Sequence, residues 1–302
     1  MNVTVIGYGS IGRRHSRILN KLGCKMSIVS HQRVDSYPVY FTIKDAIQTE
    51  NPDYIVIATP TNEHYKVLQE IRTAGYTGRI LIEKPIFKEF TSLPESKLQN
   101  VFTGYNLRFH PVIMRMKESI QYETIVSAIV YAGQYLPEWR NEDYRKSYSS
   151  KRNMGGGVLR DLSHELDYTT WILGPWKELA AIGGHYSNLE IDSDDVFSIL
   201  MTTDKCKVIN IQINYLDRTH QRGFIINTKN HTYSGDLVRN TIRIDNQLEN
   251  YPSDQDDTYR AEHIAMMNND DSILCSAKDA LETLYLIKSI EQSVNEKKWV
   301  AR

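Results

Sequence analysis

The sequence predicts an α/β protein in two parts: a doubly wound parallel sheet, then an α+β part with a large, mostly antiparallel open sheet. Three observations carry this prediction. Up to Tyr105, short apolar runs alternate with segments of helical periodicity. A glycine-rich turn directly follows the first apolar run. Beyond Ile120 that rhythm gives way to period-two runs joined by short polar turns such as Thr203-Asp204-Lys205. The expected division is residues 1–119 and 120–302.

The first run, Val3 to Ile6, enters Gly7-Tyr-Gly9-Ser10-Ile11-Gly12, and a helix is expected from about Ile11 to Leu22, ended by Gly23. Gly7 permits a tight turn, Gly9 leaves backbone open to a pyrophosphate, and Gly12 lets helix and strand pack closely. With Ser10 and Ile11, the helix start presents free N–H groups to phosphate oxygens. A strand before, a helix after and a second strand from Met26 to Val29 are the context that dinucleotide binding requires. His15, one turn into the helix, is read as packed or beside the cofactor.

The end of the second strand reads Ser30-His31-Gln32-Arg33, with no carboxylate before Asp35. An acidic residue there would bind ribose hydroxyls, whereas Ser30 and Arg33, with Arg13 nearby, suit a 2′-phosphate. NADP(H) is therefore favoured over NAD(H). A short helix at Asp45–Gln48 precedes the strand Tyr54–Ala58. Thr59, Pro60 and His64 then lie at the carboxyl end of a strand, where open α/β sheets bind ligands. The strand Arg79–Ile82 runs into Glu83-Lys84-Pro85 at the same edge. Lys84 there can donate to a substrate hydroxyl and favour its alkoxide, or it is an ordinary surface lysine before a turn. The Lys84–Pro85 bond is a candidate for the cis form.

After the strand Val101–Tyr105, Arg108 and a helix over Val112–Ser119 lead to the sheet-forming half. Its expected strands are Ile125–Tyr135, Val196–Thr203, Lys207–Tyr215 and Arg222–Thr228. Ile209, Ile211, Ile213 and Tyr215 form a one-sided apolar row, and the other face is a candidate dimer surface. Set into this half, Gly155-Gly-Gly157 opens a helix expected to run through Arg160, Asp161, His164 and Asp167 to about Leu173. Asp161 and His164 would be neighbours on one helix face. They form either an acid/base group or a buried histidine satisfied by a carboxylate. Tyr135 to Tyr148, with Trp139, Arg140, Tyr144 and Arg145, suits a sugar ring or an anionic group, or is a solvated loop. Gln247–Asp257 reads as a polar loop, and Tyr259–Asn268 and Ala277–Asn295 as helices.

Together these motifs resemble the Gfo/Idh/MocA family of oxidoreductases. The resemblance rests on the glycine turn, Ala58-Thr59-Pro60 with His64, Glu83-Lys84-Pro85, and Gly155–Gly157 followed by Asp161, His164 and Asp167. It implies an N-terminal Rossmann domain and a C-terminal domain whose sheet builds a homodimer or homotetramer. It also implies hydride transfer between NAD(P) and a sugar-type hydroxyl, including nucleotide sugars and cyclitols, with Lys84 and His164 as the catalytic pair. Many members carry the catalytic aspartate four residues before the histidine. Here Arg160 stands there, so Asp161 is the candidate carboxylate and Arg160, with Arg108, Tyr144 and Arg145, a candidate substrate contact. The alternatives are a cofactor-sensing regulator without catalysis and an NAD-dependent glycosidase of the same fold.

The 302 residues are 41% hydrophobic and 24% charged, with formal net charge -1. That balance excludes a global attraction to nucleic acid or anionic membrane. Cys24, Cys206 and Cys275 are too few and too scattered for a disulfide framework or a metal site. No apolar run approaches the roughly 20 residues of a membrane span. Met1 opens almost directly onto the first strand, so no secretory leader and a cytoplasmic location are expected.

Overall fold

The computed structural model describes residues 1–91, 94–139 and 142–302. These form two compact units. The first comprises Met1–Phe109 with Gln255–Leu284, the second His110–Asp254 with Tyr285–Arg302. The first crossing therefore falls ten residues ahead of the expected boundary, and the chain later returns to the first unit. That return could not be read locally, because it depends on which core the distant helix covers.

The first unit contains β1 (Asn2–Ile6), β2 (Lys25–Val29), β3 (Val39–Tyr40), β4 (Tyr54–Ile57), β5 (Arg79–Ile82) and β6 (Val101–Thr103). Helices α1 (Ser10–Lys21), α2 (Ile43–Glu50), α3 (His64–Thr73) and the short α4 (Glu95–Leu98) connect them. The sheet runs β6-β5-β4-β1-β2-β3, all parallel, with Cys275–Ser276 antiparallel on the β6 edge. The order reverses between β1 and β4, the switch point of a doubly wound sheet. β4 and β5 bury nearly every residue, as strands covered on both faces must.

In the second unit, α5 (Pro111–Ser119) is followed by β7 (Ile125–Gly133), α6 (Val158–Asp161), α7 (His164–Leu173), β8 (Trp176–Gly184), β9 (Val196–Thr203) and β10 (Ile209–Asn214). Next come β11 (Gln221–Thr228), β12 (Thr232–Asp236), β13 (Thr241–Ile244) and β14 (Gln247–Asn250). Among the described residues the sheet order is β14-β13-β12-β11-β7-β10-β9-β8, edged by Val300–Ala301. Apart from the parallel pair β7 and β10, its ladders are antiparallel. Ile209, Ile211, Ile213 and Tyr215 are fully buried and so form the core face. Each such side chain contributes roughly 1.5–3 kcal/mol. The opposite face exposes Ile182, Leu200 and the cross-strand pair Ile129–Ile225.

The chain then returns to the first unit as α8 (Asp257–Asn268), whose Ala265 and Met266 complete the core of Val5, Leu19, Tyr54 and Phe102. Helix α9 (Ala277–Glu296) follows, with Leu284, Ile287 and Ile290 buried. Among the described residues no helix is long and apolar enough to cross a membrane.

Two sequence expectations change. Gln247–Asn250 is not loop but an edge strand paired with β13, a partner that its polar composition does not announce. The helix expected from Gly157 to Leu173 breaks at Leu162–Ser163 into α6 and α7. The i, i+3 argument joining Asp161 to His164 on one helix therefore lapses, while that joining His164 to Asp167 within α7 stands.

Beside His164, Glu165 is fully buried and accepts two hydrogen bonds from the Arg222 guanidinium, at 2.8 and 2.9 Å. Removing one partner of such a pair strands the other charge. We expect Arg222→Met to lower the unfolding free energy by about 3–5 kcal/mol, read as a fall in denaturant midpoint at unchanged slope. Glu165→Leu added to it should recover most of that loss. A loss in the single variant below about 1 kcal/mol, the range of an exposed pair, would refute this assignment.

Candidate functional site

The glycine turn fits its sequence reading atom by atom. Gly7 has φ +95°, and a Cβ there would lie 2.6 Å from the Ala58 carbonyl oxygen. A Cβ on Gly12 would lie 2.1 Å from the Gly7 carbonyl oxygen. The two close approaches pack α1 onto the turn, and the turn onto the end of β4. A Cβ on Gly9 would instead meet nothing within 4 Å. Gly9 is the N-cap of α1 and supplies no side-chain cap, and no acidic residue stands in the first turn. The N–H groups there have no intrahelical partner. The helix start is thus open and uncapped beside a bare glycine, and Ser10 and Ile11 are its first residues.

After β4, Thr59 Oγ1 is buried and bonded by none of the described residues. Pro60 precedes a 3₁₀ turn, and His64 then opens α3. His64 is buried, with Nε2 2.9 Å from the Thr59 carbonyl oxygen and Nδ1 3.1 Å from that of Pro85. Burial pushes its pKa down against these bonds. His64 therefore ties the loop after β4 to the segment after β5.

Glu83 is tied in turn. Its Oε1 lies 2.8 Å from His15 Nε2, and its Oε2 accepts the Lys84 backbone N–H at 3.2 Å. Burial raises the Glu83 pKa, but the His15 bond and the positive charge of Lys84 outweigh it and hold the carboxyl below its ordinary value. Lys84 follows at the strand's carboxyl end, and the Lys84–Pro85 peptide is cis.

At the end of β2, Ser30 Oγ accepts the Gln32 N–H, and Arg13 donates to Gln32 Oε1. Arg33 pairs with Asp35 in open solvent. Sequence reasoning passed over Phe41, which is 70% exposed and stacks on His31 with centroids 6.2 Å apart. Only the β2–β3 pairing brings the two rings together.

In the second unit, Gly157 has φ +120°, and a Cβ there would lie 2.4 Å from an Asp194 carboxylate oxygen. Asp194 accepts the Leu159 N–H at 3.2 Å, and burial pushes its pKa up to about 6. This residue was not legible in the sequence, since only the folded chain places it against the triple glycine. Asp161 accepts the Tyr215 hydroxyl at 2.6 Å. His164, 9% exposed, is the first residue of α7.

The structure does not gather the other candidates as the sequence suggested. Arg108 is 3% exposed and paired with Asp279 and the Leu274 carbonyl. Arg160 donates to Glu291 at 2.7 Å. Arg145 forks onto Asp143 and reaches Glu190, and the Tyr144 hydroxyl accepts the Glu190 N–H. Arg140 lies outside the described residues.

Residues 1–98 match the model of an oxidoreductase family with an NAD-binding Rossmann fold, and residues 113–234 that of the GFO/IDH/MocA C-terminal domain. Together they cover more than half of the chain. The chain belongs to the Gfo/Idh/MocA family. Among relatives of this family, the myo-inositol 2-dehydrogenase of Thermotoga maritima is 23% identical over 192 residues, which are 58% of this chain and 55% of that protein. The chain spans about half the length of the curated relatives it matches. Levoglucosan dehydrogenase in complex with NADH superposes with a TM-score of 0.84 at 16% identity, over 100% of this chain and 98% of that one. The WlbA dehydrogenase of Bordetella pertussis, in complex with NADH and UDP-GlcNAcA, gives 0.80 at 17%, over 100% and 97%. At such identities these structures establish a shared fold.

The glycines yield a stability test. Gly12→Ala must displace backbone, and we expect it to lower the thermal midpoint by several degrees. Gly9→Ala should leave that midpoint within about one degree, because its methyl meets only open space. Equal losses in differential scanning fluorimetry would refute the geometry.

Proposed function

We propose that this protein is an NAD(P)-dependent dehydrogenase that interconverts a hydroxyl and a ketone on a sugar, nucleotide sugar or cyclitol. The observation that carries the reading is the open cradle at Gly9, on the same carboxyl edge as Glu83-Lys84. Gly7, Gly9, Ser10, Ile11 and Gly12 would hold the pyrophosphate, and Thr59, Pro60 and Glu83 would line the way to the nicotinamide. His64 supports that edge from beneath. The bound cofactor supplies hydride acceptance and donation. In our reading Lys84 donates a hydrogen bond to the reacting oxygen and lowers the cost of alkoxide character. His164 takes the hydroxyl proton, or returns it in the reductive direction. Asp161, already bonded to Tyr215, would orient that site without moving a proton.

For the cofactor we favour NADP(H). The loop after β2 brings no carboxylate up to Arg33, and Arg13 reaches into it through Gln32. The exposed Phe41–His31 pair is suited to stack on an adenine. The apolar sheet face around Ile129, Ile182, Leu200 and Ile225 supports a homodimer or homotetramer.

Turnover with a cofactor and nucleotide-sugar panel tests the reading. We expect Lys84→Met and His164→Ala each to lower kcat by about 10²-fold or more. Full turnover in both variants would sink the assignment. Titration by nicotinamide fluorescence should show NADPH binding more tightly than NADH, with Arg13→Ala narrowing the gap; a preference for NADH would reverse the cofactor assignment. Light scattering should report a dimer or larger species, reduced to monomer by Leu200→Asp with Ile129→Asp, whereas a monomeric wild type would refute the surface.

A further inference from the structure

Behind Glu83 stands a row of buried titratable side chains that the proposed chemistry does not use. Tyr54 on β4 lies 2.7 Å from His263 on α8, Oη to Nδ1. His263 Nε2 lies 2.8 Å from His15 Nδ1, and His15 Nε2 lies 2.8 Å from Glu83 Oε1. Tyr54, His15 and His263 are all 0% exposed. The row runs through the first unit from the start of β4 to the carboxyl edge of β5.

The bonds assign every proton. Among the described residues the Tyr54 hydroxyl has the His263 ring as its one hydrogen-bond partner, so its proton must point there. His263 Nδ1 then accepts, and its own proton sits on Nε2. That proton donates to His15 Nδ1, which leaves the His15 proton on Nε2, facing Glu83. A carboxylate only accepts, so the Glu83 end agrees with the direction that the Tyr54 end sets. All three bonds then point toward Glu83.

Such a row is not a path for protons at neutral pH. Delivering one to Glu83 would leave a tyrosinate at Tyr54, whose pKa burial pushes well above its ordinary value. Burial drives the His263 pKa well below its ordinary value. The row instead acts as aligned dipoles ending on a buried anion. Cys24, Glu262 and Tyr76 face Tyr54, His64 faces Glu83, and the Tyr259 ring stands edge-on to His15.

We propose that His15 and His263, with Tyr54 as terminal donor, are positioning residues that fix the Glu83 carboxylate and, through its bond to the Lys84 backbone N–H, the main chain that carries Lys84. The catalytic consequence rests on the reading of Lys84 given above; the proton assignment does not.

The test begins on the unaltered chain, labelled with ¹⁵N in its histidine rings. Long-range ¹H–¹⁵N spectra should show His263 as a neutral ring with its proton on Nε2. A doubly protonated ring or an Nδ1–H tautomer at His263 overturns the proposal. Tyr54→Phe then removes the terminal donor and nothing else. In that variant kcat should fall by about tenfold while KM stays within about twofold, as when a reacting group is held slightly out of place. A rise in KM at unchanged kcat, or an unchanged kcat, would make the row merely structural and overturn the positioning role. If the wild type turns over nothing in the panel, the dehydrogenase reading has failed and the row is judged separately. The Lys84 backbone amide then replaces the rates: a changed ¹H–¹⁵N shift in Tyr54→Phe supports the proposal, and an unmoved one overturns it.

Discussion

Two approaches of backbone to backbone, both too close for any side chain, govern the first unit. Gly12 meets the Gly7 carbonyl, and Gly7 meets that of Ala58. The first draws α1 against its turn, and the second draws that turn against β4 where the sheet order reverses. Everything attributed to the cofactor follows. The uncapped helix start has its position because of these contacts, and Gly9 faces open space because its neighbours absorb the crowding. Thr59 and the Glu83-Lys84 segment reach the same edge because their strands run parallel to β1.

Histidines tie that edge together. His64 spans two loops with one ring, and His15 holds Glu83 from below. In each case both ring nitrogens of a buried histidine lie within hydrogen-bond reach of fixed partners. The second unit uses charge in the same way around His164. Glu165 is held by Arg222, Asp161 by Tyr215, and Asp194 occupies the space that Gly157 leaves empty.

Features written in neighbouring residues were legible in the sequence. The glycine spacing, the apolar runs of β4 and β5, and the glycine that ends α1 depend on a few consecutive positions, and their boundaries fall within a residue or two of the expectation. What escaped depends on distant partners. Gln247–Asn250 is a strand only because β13 lies beside it. The break at Leu162–Ser163 ends a run whose composition would continue a helix. His263 and Tyr54 lie 209 residues apart and carried no local sign of their bond. Arg108, Arg145 and Arg160 looked available for an anionic ligand, but each has an acidic partner supplied by another part of the chain or by its own loop.

The first unit is assembled from two stretches far apart in the sequence. Residues 1–109 lack the α8 side chains Ala265 and Met266 and the edge pair Cys275–Ser276 until residues 255–284 arrive. During synthesis residues 1–109 therefore leave the ribosome first yet stay incomplete, with part of their apolar interior uncovered, while residues 110–254 are made. Nascent chains cut short before residue 255 would be natural clients for chaperones, however well their opening glycine turn had formed.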